Sequence, residues 1–227
     1  MKKIIFIFCF FAFSFPFFAQ SIGDFFVFLP EGYLSQLSSD QRQELLNRSK
    51  NKKDSTIINN YGGRSRLLAF DDENNYIKVQ TSGQGFFEAK KWTLKDSTSL
   101  FAMSFWVCSP ACDGGISFFK DNYAPAMFGK NQFPGVDVSD FFNRDSLTAK
   151  EISENELRNK FDIFFVRFEF QPTGNDILAI NDFQRYMNKE DYEKWKPFLK
   201  GDCLPLVWKN GYFEKGEAYF RKVTSDE

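Results

Sequence analysis

Alternating apolar and polar residues between Thr56 and Phe119 constrain the fold of this chain more than any other feature of its sequence. In the segment NYIKVQTS, Ile77 and Val79 fall on one side of an extended chain, and Lys78 and Gln80 fall on the other. This two-residue period is typical of a half-buried β-strand. Polar turn sequences separate six short segments of this kind, so the sequence predicts an antiparallel meander.

Helical patterns come before each set of predicted strands. Ser38 and Gln41 stand three residues apart and have the form of a capping box at the start of a short helix. Ser153 and Glu156 have the same form within a helix expected over residues 149–159. The predicted fold class is α+β, with antiparallel sheets, helices packed on one face, and two loosely repeated halves of helix followed by strands.

The second half contains the strongest strand signal, FDIFFVRFEF at residues 161–170, in which every second residue from Phe164 onward is apolar. The turn sequence QPTGND and the apolar run ILAI follow, and residues 181–201 have a helical pattern. Asn210 and Gly211 then stand between two apolar runs and supply the two positive-φ residues that a type I′ turn needs. The chain is therefore expected to end in a hairpin.

Composition divides the chain into four parts. Residues 1–19 are a predicted signal peptide, residues 20–120 form the N-terminal helix and meander, and residues 147–227 form a C-terminal α+β part that ends in the hairpin. Between them, residues 121–146 contain two prolines, two glycines and scattered acids. Such a stretch is typical of a linker or a long functional loop.

The first residues, MKKIIFIFCFFAFSFPFFAQ, predict export. Lys2 and Lys3 precede an apolar run that is too short to span a bilayer, and Ala19 offers a small residue for cleavage. The rest of the chain has no run of 18 apolar residues, so no membrane span is expected after cleavage. The protein is expected in the periplasm, on the cell surface or outside the cell.

Histidine is absent from the chain. Its absence excludes Ser-His-Asp and Cys-His nucleophile pairs, histidine zinc sites and imidazole general bases. Removal of Lys2 and Lys3 with the signal peptide leaves 27 basic against 30 acidic residues, without a basic cluster. This balance disfavours nucleic acid as a partner. The sequence predicts no cofactor.

Cys108 and Cys112 stand four positions apart in the segment FWVCSPACDGGISFF. A structural zinc site needs four Cys or His ligands, and the mature chain has three cysteines, so no metal site is predicted. A redox centre favours Cys-x-x-Cys at a helix N-terminus, whereas a strand follows here and Asp113 would raise the thiol pKa. In an oxidising compartment the pair is expected to form a disulfide across a turn. Pairing with Cys203, or three free thiols, stays open.

Two carboxylate patterns have both a chemical and a structural interpretation. The segment DDENNY, residues 71–76, lacks the spacing of a calcium-binding loop and is interpreted as a solvated hairpin tip. Asp113, Asp121, Asp137 and Asp140 lie in or near two loops that could converge. Paired carboxylates hydrolyse glycosides without histidine, so these residues define a candidate hydrolase site.

Aromatic residues are further candidates for a groove that binds carbohydrate or peptide. Core packing and codon bias explain their abundance more simply, and this interpretation is preferred. The residues concerned are Trp92, Trp106, Tyr123, Phe141 and Phe142.

Three blocks of sequence together resemble a family of exported proteins of unknown function from Bacteroides-type gut bacteria. The blocks are LPEGYLSQLSSDQRQELLN with NNYGGRSRL, then CSPACDGGISFFKDNYAP, and then YMNKEDYEKWKPFLKG with LPLVWKNGYF. Their order and spacing cover nearly all of the mature chain. Tyr123 stands where the second block of that family usually has tryptophan. The resemblance implies export and an α+β fold, and it implies no activity or ligand.

The leading functional hypothesis is an exported, non-catalytic binding or structural module of the cell envelope with a protein, peptide or glycan ligand. Loops on a rigid sheet are where binding residues gather. The alternatives are a glycan-directed hydrolase that uses the loop aspartates and a thiol-disulfide protein that uses Cys108 and Cys112. The candidate binding loop, beside the disulfide, comprises Pro110, Asp113, Asp121, Tyr123, Phe141 and Phe142.

Overall fold

The computed structural model describes residues 20–51, 53–129 and 132–222. The predicted signal peptide, residues 1–19, lies outside this part of the chain. No helix among the described residues has both the length and the apolar composition that crossing a bilayer requires.

The helices are α1 (Ile22–Phe28), α2 (Ser39–Lys50), α3 (Arg144–Thr148), α4 (Glu154–Lys160), α5 (Phe183–Tyr186) and α6 (Lys189–Trp195). The strands are β1 (Thr56–Ile58), β2 (Arg64–Asp71), β3 (Tyr76–Gln80), β4 (Gly85–Thr93), β5 (Ser99–Cys108), β6 (Cys112–Lys120), β7 (Arg167–Phe170), β8 (Ile177–Ile180), β9 (Cys203–Trp208) and β10 (Phe213–Lys215).

The first six strands form one antiparallel sheet in the order β1-β2-β3-β4-β5-β6. The predicted meander is therefore confirmed. Ile77 and Val79 are fully buried on the face that α1 and α2 cover. Burial of this apolar face against two helices forms one half of the hydrophobic core.

Capping boxes fix where two helices begin. At α2, the Ser38 hydroxyl accepts a hydrogen bond from the Gln41 backbone, and the Gln41 side chain accepts one from the Ser38 backbone. Ser153 and Glu156 form the same reciprocal pair at α4. Both predicted boxes are confirmed. The second helix begins at Glu154, later than predicted, because the Ser153 cap sets its first turn.

The helix α1 was not predicted from periodicity, because it has only seven residues. A buried arginine from α2 holds its end in place. The guanidinium Nη1 of Arg42 donates to the carbonyl oxygens of Phe26 at 2.8 Å and Leu29 at 2.6 Å. Carbonyl groups at a helix end lack partners within the helix, so Arg42 satisfies them and fixes α1 against α2.

The last four strands form a second antiparallel sheet in the order β10-β9-β8-β7. It packs on the face of the first sheet that α1 and α2 leave free, and residues of both sheets form one hydrophobic cluster. Tyr76 is consequently buried, although the alternation in its strand places it on the expected solvent side. The α+β class is confirmed. The second half departs from a simple helix-then-strands order, since α5 and α6 come between β8 and β9.

Two elements of the second half are shorter than the periodicity predicts. The expected strand at 161–170 contributes only Arg167–Phe170 to β7, because its partner β8 has only four residues to pair with. The helix expected over 181–201 is divided at Asn188, whose side chain accepts a hydrogen bond from the Asp191 N–H at 2.8 Å and begins a new helix. The terminal hairpin is confirmed, with positive φ at both residues of its Asn-Gly turn.

The described residues of the segment 121–146 contact the edge strands β6 and β10. The Ala126 N–H donates to the Phe118 carbonyl at 2.8 Å, and the Phe213 N–H donates to the Gln132 carbonyl at 2.8 Å. These backbone hydrogen bonds attach the segment to an edge strand of each sheet.

Side chains from α2 cover the edge strand β1. Arg48 donates to the Thr56 carbonyl at 3.1 Å, and Gln41 donates to the Ile58 carbonyl at 3.0 Å. An uncovered edge presents backbone groups to which another strand can pair. Coverage of this edge therefore disfavours the addition of another strand at β1.

A buried carboxylate on β4 joins the two sheets. Glu88 is 1 % exposed, and its oxygens accept hydrogen bonds from the Phe170 N–H of β7 at 2.7 Å and the Tyr76 hydroxyl at 2.8 Å. Lys78 Nζ lies 3.0 Å from the same carboxylate. Burial raises the pKa of Glu88, and the three donors offset the cost of burying its charge.

Two more side chains of β4 continue this contact towards the β7–β8 turn. Lys90 Nζ donates to the carbonyl oxygens of Gln171 at 2.8 Å and Pro172 at 3.1 Å. Trp92 Nε1 donates to the Asn175 carbonyl at 3.0 Å. Burial lowers the pKa of Lys90 to about 8. Alternate residues of one strand therefore hold a complete hairpin of the other sheet.

We expect Glu88→Ala to lower the free energy of unfolding by about 3 kcal/mol, because the substitution leaves Lys78, Tyr76 and the Phe170 N–H without their shared acceptor. Urea unfolding at pH 7 measures this loss. The control is Glu44→Ala, which removes an exposed ion pair with Arg48 and should change stability by no more than about 0.5 kcal/mol. Equal small effects from the two variants would show that the Glu88 contacts contribute little.

Candidate functional site

The two cysteines of the CSPAC segment form a disulfide. Cys108 ends β5 and Cys112 begins β6, and their sulfur atoms lie 2.07 Å apart. Cys203 is buried in β9 and is not bonded to another described cysteine. Burial raises the pKa of the Cys203 thiol. Pairing of Cys203 with either cysteine of the turn is therefore ruled out.

The predicted binding residues beside the disulfide are spread over different surroundings. Pro110 and Asp113 are exposed, and the Asp113 carboxylate accepts a hydrogen bond from the Val166 N–H at 3.2 Å. The ring of Tyr123 is partly buried and stacks on Phe25, with 5.8 Å between ring centroids. The disulfide turn thus carries an accessible tip, whereas Tyr123 belongs to the packing around α1.

Phe141 and Phe142 are core residues and do not belong to an exposed loop. Both are fully buried. Phe142 packs edge-on against Phe183 and Trp195, with centroid distances of 5.6 and 6.0 Å. The polar residues around them suggested a loop, but a short 3₁₀ turn over Val138–Phe141 directs both rings inward.

The four aspartates that define a candidate hydrolase site do not form one cluster. Asp113 and Asp121 lie at opposite ends of β6, and eight residues of extended strand span about 26 Å. Asp137 and Asp140 form a capping box at the 3₁₀ turn. Asp140 also contacts Lys215 Nζ at 2.7 Å. The four carboxylates therefore do not form the pair of facing carboxyl groups that a glycosidase needs.

A different set of residues forms a pair of adjoining clefts. Two clefts meet at Arg167 and Arg185, which contribute to the walls of both. Their volumes are about 560 Å³ and about 590 Å³. The "disulfide cleft" is lined by Lys78, Phe86, Trp106, Cys108, Cys112 and Glu169. The "tail cleft" is lined by Asn181, Asp182, Tyr192, Asp202, Phe220 and Arg221. Together they are called the Arg167 groove.

An aromatic pair forms part of the disulfide cleft. The rings of Phe86 and Trp106 stack with centroids 5.6 Å apart and planes 17° apart. Lys78 Nζ lies 5.4 Å from the Trp106 ring centroid. Trp106 is buried, whereas Phe86 keeps part of its surface exposed. The cleft therefore combines one accessible ring with fixed polar groups.

Charged side chains of alternating sign line the junction of the two clefts. Arg167 lies 2.6 Å from Glu169 and 2.5 Å from Asp182. Arg221 lies 3.4 Å from Asp182 and 3.0 Å from Asp202. Arg167 and Asp182 are almost fully buried, and buried charges of this kind are stable only when they are paired. Every carboxylate of this network therefore has an arginine beside it.

Arg185 and Asn181 are polar residues of the groove that have ionic or hydrogen-bonding groups without a described partner. Arg185 is exposed and forms no ion pair with any described residue. Asn181 is fully buried, and its Nδ2 donates to the Phe165 carbonyl at 2.5 Å, but its Oδ1 has no described partner. A free guanidinium beside a rigid polar wall is suited to binding a carboxylate through paired hydrogen bonds.

Sequence reasoning did not identify this groove. One signal was available, since Arg167 and Glu169 interrupt an otherwise apolar strand segment. Charged residues at that position in a strand need partners or solvent. Their partners, Asp182 and Arg221, come from distant parts of the chain, so no local pattern connects them.

The fold and the groove define an α+β protein of two antiparallel sheets with a polar cleft region lined by residues of both sheets. The chain belongs to the family described as a protein of unknown function (DUF3256), whose model matches residues 14–213. The resemblance to a family of unknown function is thereby confirmed.

A solved structure of a domain of an uncharacterized protein from Porphyromonas gingivalis W83 is similar to this chain. The TM-score is 0.72 at 17% sequence identity, and the match covers 87% of this chain and 98% of that one. Identity at this level shows a shared fold. A comparison with curated proteins finds no match.

The double substitution Cys108→Ala and Cys112→Ala should lower the free energy of unfolding by about 2 kcal/mol, the chain-entropy value for a closed loop of five residues. The variant should stay folded, because the disulfide spans only one turn. Urea unfolding measures the loss, and wild-type protein treated with a reductant is the control and should show a similar loss. Global unfolding of the variant would contradict this local role.

Proposed function

We propose that this protein is an exported, non-catalytic binding module whose Arg167 groove takes an acidic glycan. The observation that carries the proposal is the position of Arg185, an exposed guanidinium without an ionic partner among the described residues, at the junction of two clefts. A uronic acid carboxylate would accept paired hydrogen bonds from this guanidinium.

The size and lining of the groove support a ligand of more than one sugar ring. Clefts of about 560 and 590 Å³ lie within the range of small-molecule sites. The accessible ring of Phe86 can pack against the apolar face of a sugar. The Arg167 network presents fixed donors and acceptors at the junction, so the ligand would meet polar groups whose positions are already set.

Glycan binding is favoured over peptide binding by the state of the sheet edges. Peptides commonly bind by adding a strand to an open edge. In this protein, α2 side chains or the segment 121–146 form hydrogen bonds with backbone groups of the edge strands β1, β6 and β10, and the edge strand β7 donates from the Phe170 N–H to Glu88 of the first sheet. A ligand that binds through side chains in a groove does not need a free edge.

Binding is favoured over hydrolysis by the pairing of the carboxylates. A glycosidase needs one carboxyl as acid and a second as base or nucleophile, positioned on either side of the scissile bond. In the Arg167 groove, Glu169, Asp182 and Asp202 each lie within 3.0 Å of an arginine nitrogen. Each of these carboxylates is engaged by an arginine, so the three carboxylates do not form a pair of free carboxyl groups that could act on a glycosidic bond.

The test compares matched ligands on the mature protein by isothermal titration calorimetry. Trigalacturonate should bind, and the neutral galactose trisaccharide should bind at least about tenfold more weakly, a difference of about 1.4 kcal/mol. Arg185→Glu should abolish most of the preference for the acidic ligand, because it places a negative charge at the anchor point.

The control variant is Arg64→Glu, which reverses an exposed arginine that lines neither cleft. It makes the same change in net charge and should leave binding unaltered. Equal affinity for the acidic and neutral trisaccharides, or an equal loss in both variants, would contradict the proposal. Cleavage of the trisaccharide would identify the protein as a hydrolase instead.

A further inference from the structure

A separate cleft lies between α4, α6 and the loop that precedes α4, and it shares no lining residue with the Arg167 groove. Its volume is about 590 Å³. It is called the lysine cleft and is lined by Lys150, Ile152, Glu156, Lys160, Lys194, Trp195 and Phe198.

The floor of the lysine cleft is apolar and rigid. Trp195 is 8 % exposed and packs against Phe161 and Phe142, with centroid distances of 5.3 and 6.0 Å. Ile152 and Phe198 are partly exposed beside it. The indole Nε1 of Trp195 is buried and has no acceptor among the described residues.

The rim of the lysine cleft carries an excess of positive charge. Lys150 and Lys194 are exposed and form no ion pair with any described residue, whereas Lys160 lies 3.6 Å from Asp191. The single acid is Glu156, whose carboxylate already accepts hydrogen bonds at 2.7 and 2.8 Å from the backbone and hydroxyl of its cap residue. These hydrogen bonds lower the pKa of Glu156 and hold it in its capping role.

We infer that the lysine cleft binds one molecule of a single-chain amphiphile with a carboxylate head. The apolar chain would lie on Ile152, Trp195 and Phe198, and the carboxylate would lie between the two unpaired lysines. Burial of the apolar chain would stabilise the complex but would not select a head group, because the hydrophobic effect is non-directional. The lysine ammonium groups would favour a negatively charged head over a neutral one. The cleft is concave, so it suits a free molecule better than the flat surface of a bilayer. This site is independent of any ligand in the Arg167 groove.

The probes are octanoate and octanol, which differ in their head group but have the same chain length. Calorimetric titration of the mature protein should show one saturable site for octanoate and at least tenfold weaker binding of octanol. The double variant Lys150→Gln and Lys194→Gln should reduce octanoate affinity at least tenfold and leave octanol binding unchanged. The affinity of the wild type for octanoate should also fall as salt is added, since the head-group attraction is ionic.

The matched control is Lys189→Gln, which removes an exposed lysine of α6 that does not line the cleft. It should bind octanoate as the wild type does. A second variant, Ile152→Ser, should weaken octanoate and octanol binding by the same factor, because it removes only apolar contact. Far-ultraviolet circular dichroism of each variant checks that the fold is retained.

Three results would overturn the inference. The first is equal affinity for octanoate and octanol, which would remove any role for the lysines. The second is an equal loss of octanoate binding in the lysine double variant and in Lys189→Gln. The third is binding to vesicles of phosphatidylglycerol without saturable binding of free octanoate, which would assign this surface to a bilayer.

Discussion

The structure depends on a row of polar and aromatic side chains that β4 buries between the two sheets. Glu88, Lys90 and Trp92 occupy alternate positions and reach the backbone of one hairpin, β7 and β8 with their connecting turn. Buried polar groups are unfavourable unless each finds its partner. The contact between the sheets is therefore specific, because a shift of one sheet against the other would leave several buried groups unsatisfied.

This contact also positions the Arg167 groove. In β7, Phe168 and Phe170 point into the core between the sheets, so Arg167 and Glu169 point to the opposite face. On that face Arg167 meets Asp182, and Arg221 joins the network from the C-terminal segment. The hydrogen bond from β7 to Glu88 thus fixes the strand whose outer residues form the junction of the two clefts. The contact between the sheets therefore also holds the walls of the groove in place.

Local signals predicted the parts of this fold that local interactions determine. The meander, both capping boxes and the Asn-Gly hairpin each depend on residues close together in the chain. The burial of both faces of β3 could not be predicted in this way, because the covering sheet comes from residues more than 80 positions later. For the same reason, the sequence placed Phe141 in a binding loop and did not connect Arg167 with Arg221.

Native-state hydrogen exchange in increasing urea tests most directly whether the β4 side chains couple the two sheets. If they do, the amides of β7 and β8 should exchange with the same free energy of opening as those of β4 and β5, since both sheets would open only in global unfolding. A lower opening free energy for β7 and β8, with β4 and β5 still protected, would contradict this account. It would show that the second sheet opens on its own and that the groove does not depend on the buried row.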